Sequence, residues 1–484
     1  LSQAQQMVKH STIYAVGNIS RQLVGFIMLP IYTNYLTPAD YGVIGLLIFM
    51  VSLFEILLGG HMFQAVPKFY HKEEERQRKN AVVTTALLVT LFFSGIACMI
   101  MAFFANPLSI LVFGEQEYSI YIIIFSALIL THALEQYGLT YLRIIKKPWV
   151  FFNFSMLKLA MQLSLNIITI VILDWGLMGL ALSSLISSVA ISTLLIAYTL
   201  YKVGFRIDTK AIRNLLIFSW PLWISGFIGL YIGSSNRYFI RIFSNLDDVG
   251  LYELAAKFGM IVSVLVWSPF SQYWQTERFA IAKDSSPYQA YSTAFRMILA
   301  LMMISGIGVI VFSQLAIDIM SDPLFHPATK AVPFLVLASI FQSLTIFNNF
   351  SFMHTNRTIE ITKNNIVTAL CITILYLVLI PAFGFTGAAA GFALGSLIQY
   401  SYALHAGKKL YDLQVSQRPL IFTTLILIAS SLISQSIIPD DFSALPVMLS
   451  ILLAIVSSFF VILISIEKKE IEYAWTAINR STKR

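Results

Sequence analysis

The sequence predicts an all-α polytopic membrane protein with about fourteen spanning helices, and three observations predict it. Hydrophobic residues make up 57% of the chain against 12% charged, with a mean hydropathy of +0.77, a balance that water-soluble domains of this length do not show. The apolar runs have helix length, because a hydrocarbon core about 30 Å thick takes roughly 20 residues at a rise of about 1.5 Å each. Lysine and arginine fall between alternate runs, as they do when one face of a membrane collects them.

In chain order the runs place spans near 10–35, 41–58, 80–104, 118–142, 149–173, 177–201, 214–243, 249–273, 288–312, 328–352, 361–381, 385–406, 419–438 and 445–466. None is a short alternating segment of the barrel kind, so backbone groups must be satisfied within helices. The first run lacks a small-residue cleavage site after it and reads as a retained span. Cys98 and Cys371 fall in distant spans and suit packing, with neither a disulfide framework nor a metal cluster implied. No cofactor is expected.

With the N-terminus inside, the inner loops hold Lys68, Lys72, Arg76, Arg78 and Lys79, then Arg143, Lys146 and Lys147, then Lys202, Arg206, Lys210 and Arg213, then Arg278 and Lys283, Arg357, and Lys408, Lys409 and Arg418. The outer loops offer Lys330 and the boundary residue Arg241 beside several acids. Both termini are therefore expected in the cytoplasm, in a plasma-membrane protein. The net charge of +8 follows from this topology and from contact with anionic lipid, so it does not point to nucleic acid. The longest loop, residues 59–79, is charged, lies partly in the interface and is too short for a catalytic domain.

Positions 208 residues apart match in kind. Asp40-Tyr41-Gly42 corresponds to Asp248-Val249-Gly250, and Gly176-x-x-Gly179-x-Ala181 to Gly384-x-x-Gly387-x-Ala389. Spans one to six land on spans seven to twelve. The expected organisation is a first six-helix half (1–208), a second (209–412), two additional helices (413–466) and a cytoplasmic tail (467–484). Parallel halves related by an axis along the membrane normal suit alternating access around a central site.

A charge at mid-bilayer costs about 2.5–3.5 kcal/mol on insertion scales, so each one asks for a reason. Arg21 lies deep in the first span, with Asn18 and Gly25 on its face. Arg237 and Arg241 stand four apart in the seventh span beside Asn236, and Glu253 and Lys257 four apart in the eighth. Arg241 suits snorkelling to the outer interface, and Glu253 with Lys257 suits an intrahelical pair. Glu55 and Glu135, with His132 one turn away from the latter, are candidates for carrying a proton or sodium ion, or for pairing with a basic neighbour. Lys158 and Arg296 can snorkel to the inner face. At the 208-residue offset Arg21 meets Gly229, Arg237 meets Leu29, Lys257 meets Phe49, Glu55 meets Ser263 and Glu135 meets Ser343. The scaffold is duplicated and its charges are not, which points to an asymmetric functional cavity. Pro30, Pro221 and Pro269 are candidate hinges.

Arg21 through Leu29-Pro30-Ile31-Tyr32-Thr33 and Leu36-Thr37-Pro38-Ala39-Asp40-Tyr41-Gly42, with Asn236-Arg237-Tyr238-Phe239-Ile240, Val249-Gly250-Leu251-Tyr252 and Ala255-Ala256-Lys257, resemble the signatures of the bacterial polysaccharide exporters, or O-antigen flippases. That family belongs to the multidrug, oligosaccharidyl-lipid and polysaccharide exporter superfamily. The resemblance implies flipping of undecaprenyl-diphosphate-linked oligosaccharide from the inner to the outer leaflet, with a glycan polymerase or ligase acting on the product. Arg21, Arg237 and Lys257, flanked by Asn18 and Asn236, would then bind the diphosphate through charge-assisted hydrogen bonds, and Glu55, Glu135 and Glu253 would serve ion coupling. Many relatives carry Asp where this chain has Asn236, which puts that position's coupling role in doubt. The rivals are a lipid II flippase, a cation-coupled multidrug antiporter, which would favour an acid in the first span, and an integral membrane polymerase or acyltransferase, which would need convergent catalytic groups.

Overall fold

A computed structural model describes Gly17 and residues 25–58, 62–283, 287–437 and 444–466. The described residues are helical and contain no strand. Arg21 and Asn18 lie outside them, as does most of the first predicted span. Its described end is α1 (Leu29–Tyr35), and the chain continues as α2 (Pro38–Leu58), α3 (Met62–Lys72), α4 (Arg76–Phe103), α5 (Ala105–Phe113), α6 (Ser119–Ile144), α7 (Pro148–Asn166), α8 (Gly176–Val203), α9 (Thr209–Ser234), α10 (Asn236–Phe243), α11 (Leu246–Val262), α12 (Ser268–Ile281), α13 (Pro287–Met320), α14 (Val332–Asn348), α15 (Phe350–His354), α16 (Ile359–Leu410), α17 (Arg418–Ile437) and α18 (Ala444–Ser465).

Twelve helical stretches among the described residues are long and apolar enough to cross a membrane. One of them, α16, is 52 residues long and bends at Gly384, whose φ of 55° only glycine adopts without strain. Its two limbs are the predicted spans 361–381 and 385–406, with Pro381 and Gly384 at the break between them. Two spans also contain π-helical turns, Ile167–Ile172 after α7 and Ser263–Trp267 before α12. The second precedes Pro269, so the widened turn sits where proline's missing N–H interrupts the helical ladder.

The chain forms two compact units, Leu1–Gly250 and Leu251–Arg484. In the first, the segment read as a charged loop folds as α3. Met62, Ala65 and Val66 are its buried face, packed with Val82, Val83 and Ala86 of α4, Tyr137 and Tyr141 of α6, and Ala211 and Leu215 of α9. Its charged face carries Lys68, whose ammonium sits 4.2 Å from the centre of the Phe218 ring. Tyr137 donates to the Val83 carbonyl over 2.5 Å, tying α6 to α4.

The start of α2 crosses the start of α11 at backbone contact. A Cβ on Gly42 would stand 2.2 Å from the Leu246 carbonyl oxygen, and one on Gly250 would stand 1.9 Å from the Pro38 oxygen. Pro38 and Leu246, like Gly42 and Gly250, are 208 residues apart, so the crossing is reciprocal in the register of the repeat.

In the second unit, α14 packs along α16, and Trp274 of α12 stacks on Phe347 of α14 with centroids 5.0 Å apart at 7°. Arg278, expected among the loop cations, is instead part of α12 and only 4% exposed. Its guanidinium lies against the rings of Phe279 and Phe350 at 5.4 and 5.2 Å and reaches the Met353 sulfur at 3.2 Å, while Nε and Nη1 find no hydrogen-bond partner among the described residues. Burial pushes its pKa down from the ordinary arginine value.

Candidate functional site

A file of polar side chains runs along one face of α7 in the first unit. Lys158, Gln162 and Asn166 recur every four residues, so they stack along the helix over about 12 Å at a rise of about 1.5 Å per residue. At one end the Lys158 ammonium donates to the Glu135 carboxylate of α6, whose side chain is 4% exposed. This corrects the expectation that Lys158 snorkels. Its stem does not reach for the interface, because a buried carboxylate lies within its span and a charge without a counter-charge there costs several kcal/mol on the order of a buried ion's desolvation. Glu135 accordingly takes the basic neighbour that the sequence allowed for it. Glu55 of α2 is half-buried and lies near enough for its charge and that of Glu135 to act on each other.

One turn along, a chain of neutral hydrogen bonds begins. Ser187 of α8 donates to Gln162 Oε1 over 2.5 Å, and Gln162 Nε2 lies 3.3 Å from both Ser184 Oγ and Asn166 Oδ1. Asn166 Oδ1 also accepts from Ser183, and Asn166 Nδ2 donates to the Tyr32 hydroxyl of α1 over 2.7 Å. Asn166, Ser183 and Ser187 are completely buried. A buried amide costs free energy unless its donors and acceptors are met, and the serines of α8 meet them.

The file is not repeated residue for residue. At the 208-residue offset Tyr32, Lys158, Gln162 and Asn166 become Ile240, Ile366, Leu370 and Ile374, while Ser183 and Ser187 become Gly391 and Gly395. Ile366, Leu370 and Ile374 are exposed on α16, whose buried face instead carries Asn364, Thr368, Ile372 and Tyr376, with Asn364 donating to the Gln399 carbonyl over 3.0 Å, so the α7 file differs in composition from the polar contacts of the second half. Its components suit proton chemistry: a carboxylate neutralised by an ammonium, a second carboxylate nearby, and amides and hydroxyls able to reverse their hydrogen bonds.

Of the residues proposed from sequence, Asn236 and Arg237 lie at the start of α10. Arg237 Nη1 is 3.1 Å from Asn236 Oδ1 and 3.2 Å from the Gly233 carbonyl, beside further contacts. The Arg241 guanidinium donates to the Phe113 carbonyl at the end of α5, a helix terminus that favours a cation. Glu253 and Lys257 stand one turn apart on α11, half-buried, with their opposite charges acting on each other. Arg21 and Asn18 are outside the described residues.

Sequence reasoning missed Gln162, Asn166, Ser183 and Ser187, and treated Tyr32 only as part of a motif. The fourfold spacing of Lys158, Gln162 and Asn166 within an otherwise apolar run is the signal that could have found them. Among the described residues no cluster of three or more metal-ligating side chains occurs.

A family model described as polysaccharide biosynthesis protein matches residues 7–274, more than half of the chain. An uncharacterised membrane protein of Haemophilus influenzae is 24% identical over 275 residues, which cover 54% of this chain and 62% of that protein. A protein of the Lsg locus of the same organism is 23% identical over 274 residues, covering 54% of this chain and 63% of its own length. The matched stretch thus spans less than two thirds of either relative. Among solved structures, the lipid II flippase MurJ in an inward closed conformation superposes with a TM-score of 0.74 at 14% identity, covering 93% of this chain and 98% of that one. A multidrug resistance MATE transporter in an inward-facing conformation gives 0.62 at 15% identity, covering 80% and 94%. The fold is shared with both.

Proposed function

Because the chain belongs to the polysaccharide biosynthesis protein family, we propose that it is a flippase that moves undecaprenyl-diphosphate-linked oligosaccharide from the inner to the outer leaflet of the bacterial plasma membrane. The family match is the observation that carries this reading, and the polar file of α7, with its buried Glu135–Lys158 pair, supports a transporter over an inert scaffold. In this reading both termini are cytoplasmic, the six-helix halves alternate access, and a glycan polymerase or ligase takes the product.

Binding and coupling are assigned to different residues. Arg21, Arg237 and Lys257, with Asn18 and Asn236, bind the lipid diphosphate, since guanidinium and ammonium groups in a low-dielectric cavity offer strong charge-assisted hydrogen bonds. Glu135 and Glu55 carry the coupling proton. Protonating Glu135 releases Lys158, and the file through Gln162 and Asn166 transmits the change to Tyr32, next to the first-span motif. Sodium suits the file less well, because the amide oxygens of Gln162 and Asn166 already accept hydrogen bonds.

The test is the leaflet distribution of undecaprenyl-linked oligosaccharide in cells lacking the protein. Accumulation at the inner face, relieved by wild type but not by Arg21→Ala with Arg237→Ala at equal abundance, is the expected result. Normal export by that double variant would remove the binding assignment. Unchanged glycolipid with lost drug resistance would move the protein to the multidrug antiporters, and accumulation of lipid II would move it to the lipid II flippases. Covalent change of the glycolipid by purified protein would make it an enzyme.

A further inference from the structure

Residues 204–208, which join α8 to α9, are pinned to the first turns of α4. Thr84 Oγ1 donates to the Gly204 carbonyl over 3.0 Å, the Asp208 N–H donates to Thr85 Oγ1 over 2.8 Å, and Arg206 Nη1 donates to Gln77 Oε1 over 2.8 Å. Asp208 also caps α9 by accepting from the Lys210 N–H over 3.0 Å. The segment is therefore held as a fixed wall.

Between this wall and the turn from α3 to α4 lies a cavity of about 820 Å³, within the range of about 300–1,000 Å³ common for small-molecule sites. Its charged lining balances, with Glu73, Glu75 and Asp208 against Arg78, Arg206 and Lys210. A balanced lining exerts no net pull on a phosphate or another ion. A ligand rich in hydroxyls, by contrast, donates to carboxylates and accepts from cations at once, in charge-assisted hydrogen bonds. Arg78 pairs with Glu75 at 3.2 Å, but Glu73, Lys210 and Asn214 make no side-chain hydrogen bond or ion pair among the described residues. They line the cavity with two kinds of donor and two kinds of acceptor unspent, and Phe69 and Ile207 add apolar surface beside them.

We propose that this pocket holds neutral sugar residues of the lipid-linked oligosaccharide before transport, as a subsite separate from the basic groups assigned to the diphosphate. The inference rests on the flippase reading above and adds where the sugar end of that substrate is gripped. Glu73 accepts from sugar hydroxyls, Lys210 donates to them, Asn214 does both, and the C–H faces of the rings lie on Phe69 and Ile207. Arg78, Arg206 and Lys210 belong to the loops that the alternation of lysine and arginine assigns to the cytoplasm, the side from which that reading has the glycolipid loaded.

The full chain, purified in a neutral detergent, is titrated separately with undecaprenyl-diphosphate-linked oligosaccharide extracted from the host and with bare undecaprenyl diphosphate, with the thermal midpoint as readout. Wild type is expected to bind the glycolipid more tightly than the bare lipid. Glu73→Leu with Asn214→Leu, which removes two side chains that hold nothing in the protein, weakens the glycolipid about tenfold, the share of two ordinary hydrogen bonds, and leaves the bare lipid unchanged. Lys72→Ala, an exposed cation outside the lining, changes neither affinity. Glycan released from the glycolipid by mild acid should compete for wild type and not for the double variant. Equal wild-type affinity for the two lipids, or a double variant that binds the glycolipid like wild type or loses both lipids alike, would overturn the subsite while leaving the flippase reading in place. Binding of neither lipid by wild type would overturn both.

Discussion

Gly42 and Gly250 pack backbone to backbone where α2 crosses α11, and each occupies a place where a methyl group would strike the carbonyl of the other's helix. The repeat registers onto itself at this crossing, since each glycine meets the helix start that is the offset counterpart of its own.

Adding that methyl group is therefore expected to be costly. Gly42→Ala and Gly250→Ala should each destabilise by about 1–3 kcal/mol, the range for overpacking a tight contact. Both glycines serve one crossing, so the double variant should cost clearly less than the sum. Thermal midpoints of the two single variants and the double variant measure this, and additive costs would show that the two sites are not coupled.

The Glu135–Lys158 pair is predicted to be expensive to break and cheap to replace. Lys158→Met leaves a buried carboxylate and should cost about 3–5 kcal/mol or force that carboxylate to take a proton. Glu135→Gln with Lys158→Met should recover much of the loss, because no net charge remains inside. A double variant as unstable as the worse single would refute the pairing as the source of the effect.

Replacing the file by the residues at the 208-residue offset tests its part in export. Gln162→Leu, Asn166→Ile, Ser183→Gly and Ser187→Gly together install the residues found 208 positions later. Glycolipid export, normalised to the abundance of the variant in the membrane, should fall at least about tenfold, about 1.4 kcal/mol of lost driving interaction. Full export by this variant would make the file structural.

Arg278 yields a prediction of opposite sign. Its cation–π contacts contribute roughly 0.5–2 kcal/mol, against two buried donors left unmet. Arg278→Met, apolar and flexible enough to fill the space, should be neutral or raise the thermal midpoint. Arg278→Lys keeps the charge in a smaller head and should lower it.

Much of the architecture was legible in one dimension. Helix-length apolar runs mark spans because a bilayer leaves backbone groups no partner but their own helix. Thus Ser119–Ile144 and Gly176–Val203 fall close to their expected bounds. The 208-residue echo was legible because the repeated positions include glycines that the crossing requires. The partly apolar segment around Met62–Lys72 was less legible, since its charges read as loop until α4, α6 and α9 supply a surface for its buried face.

The sequence by itself determined that this is a polytopic helical membrane protein with a repeated scaffold and unrepeated charges, because hydropathy, helix length and offset are properties of residue order. Only the tertiary structure decided what those charges do. Lys158 turns inward to Glu135, Arg241 caps α5, and Asn166 joins Ser183 to Tyr32, because a buried polar group takes whichever partner folding brings within about 3 Å. That partner lies 23 residues away for Lys158 and 134 for Asn166.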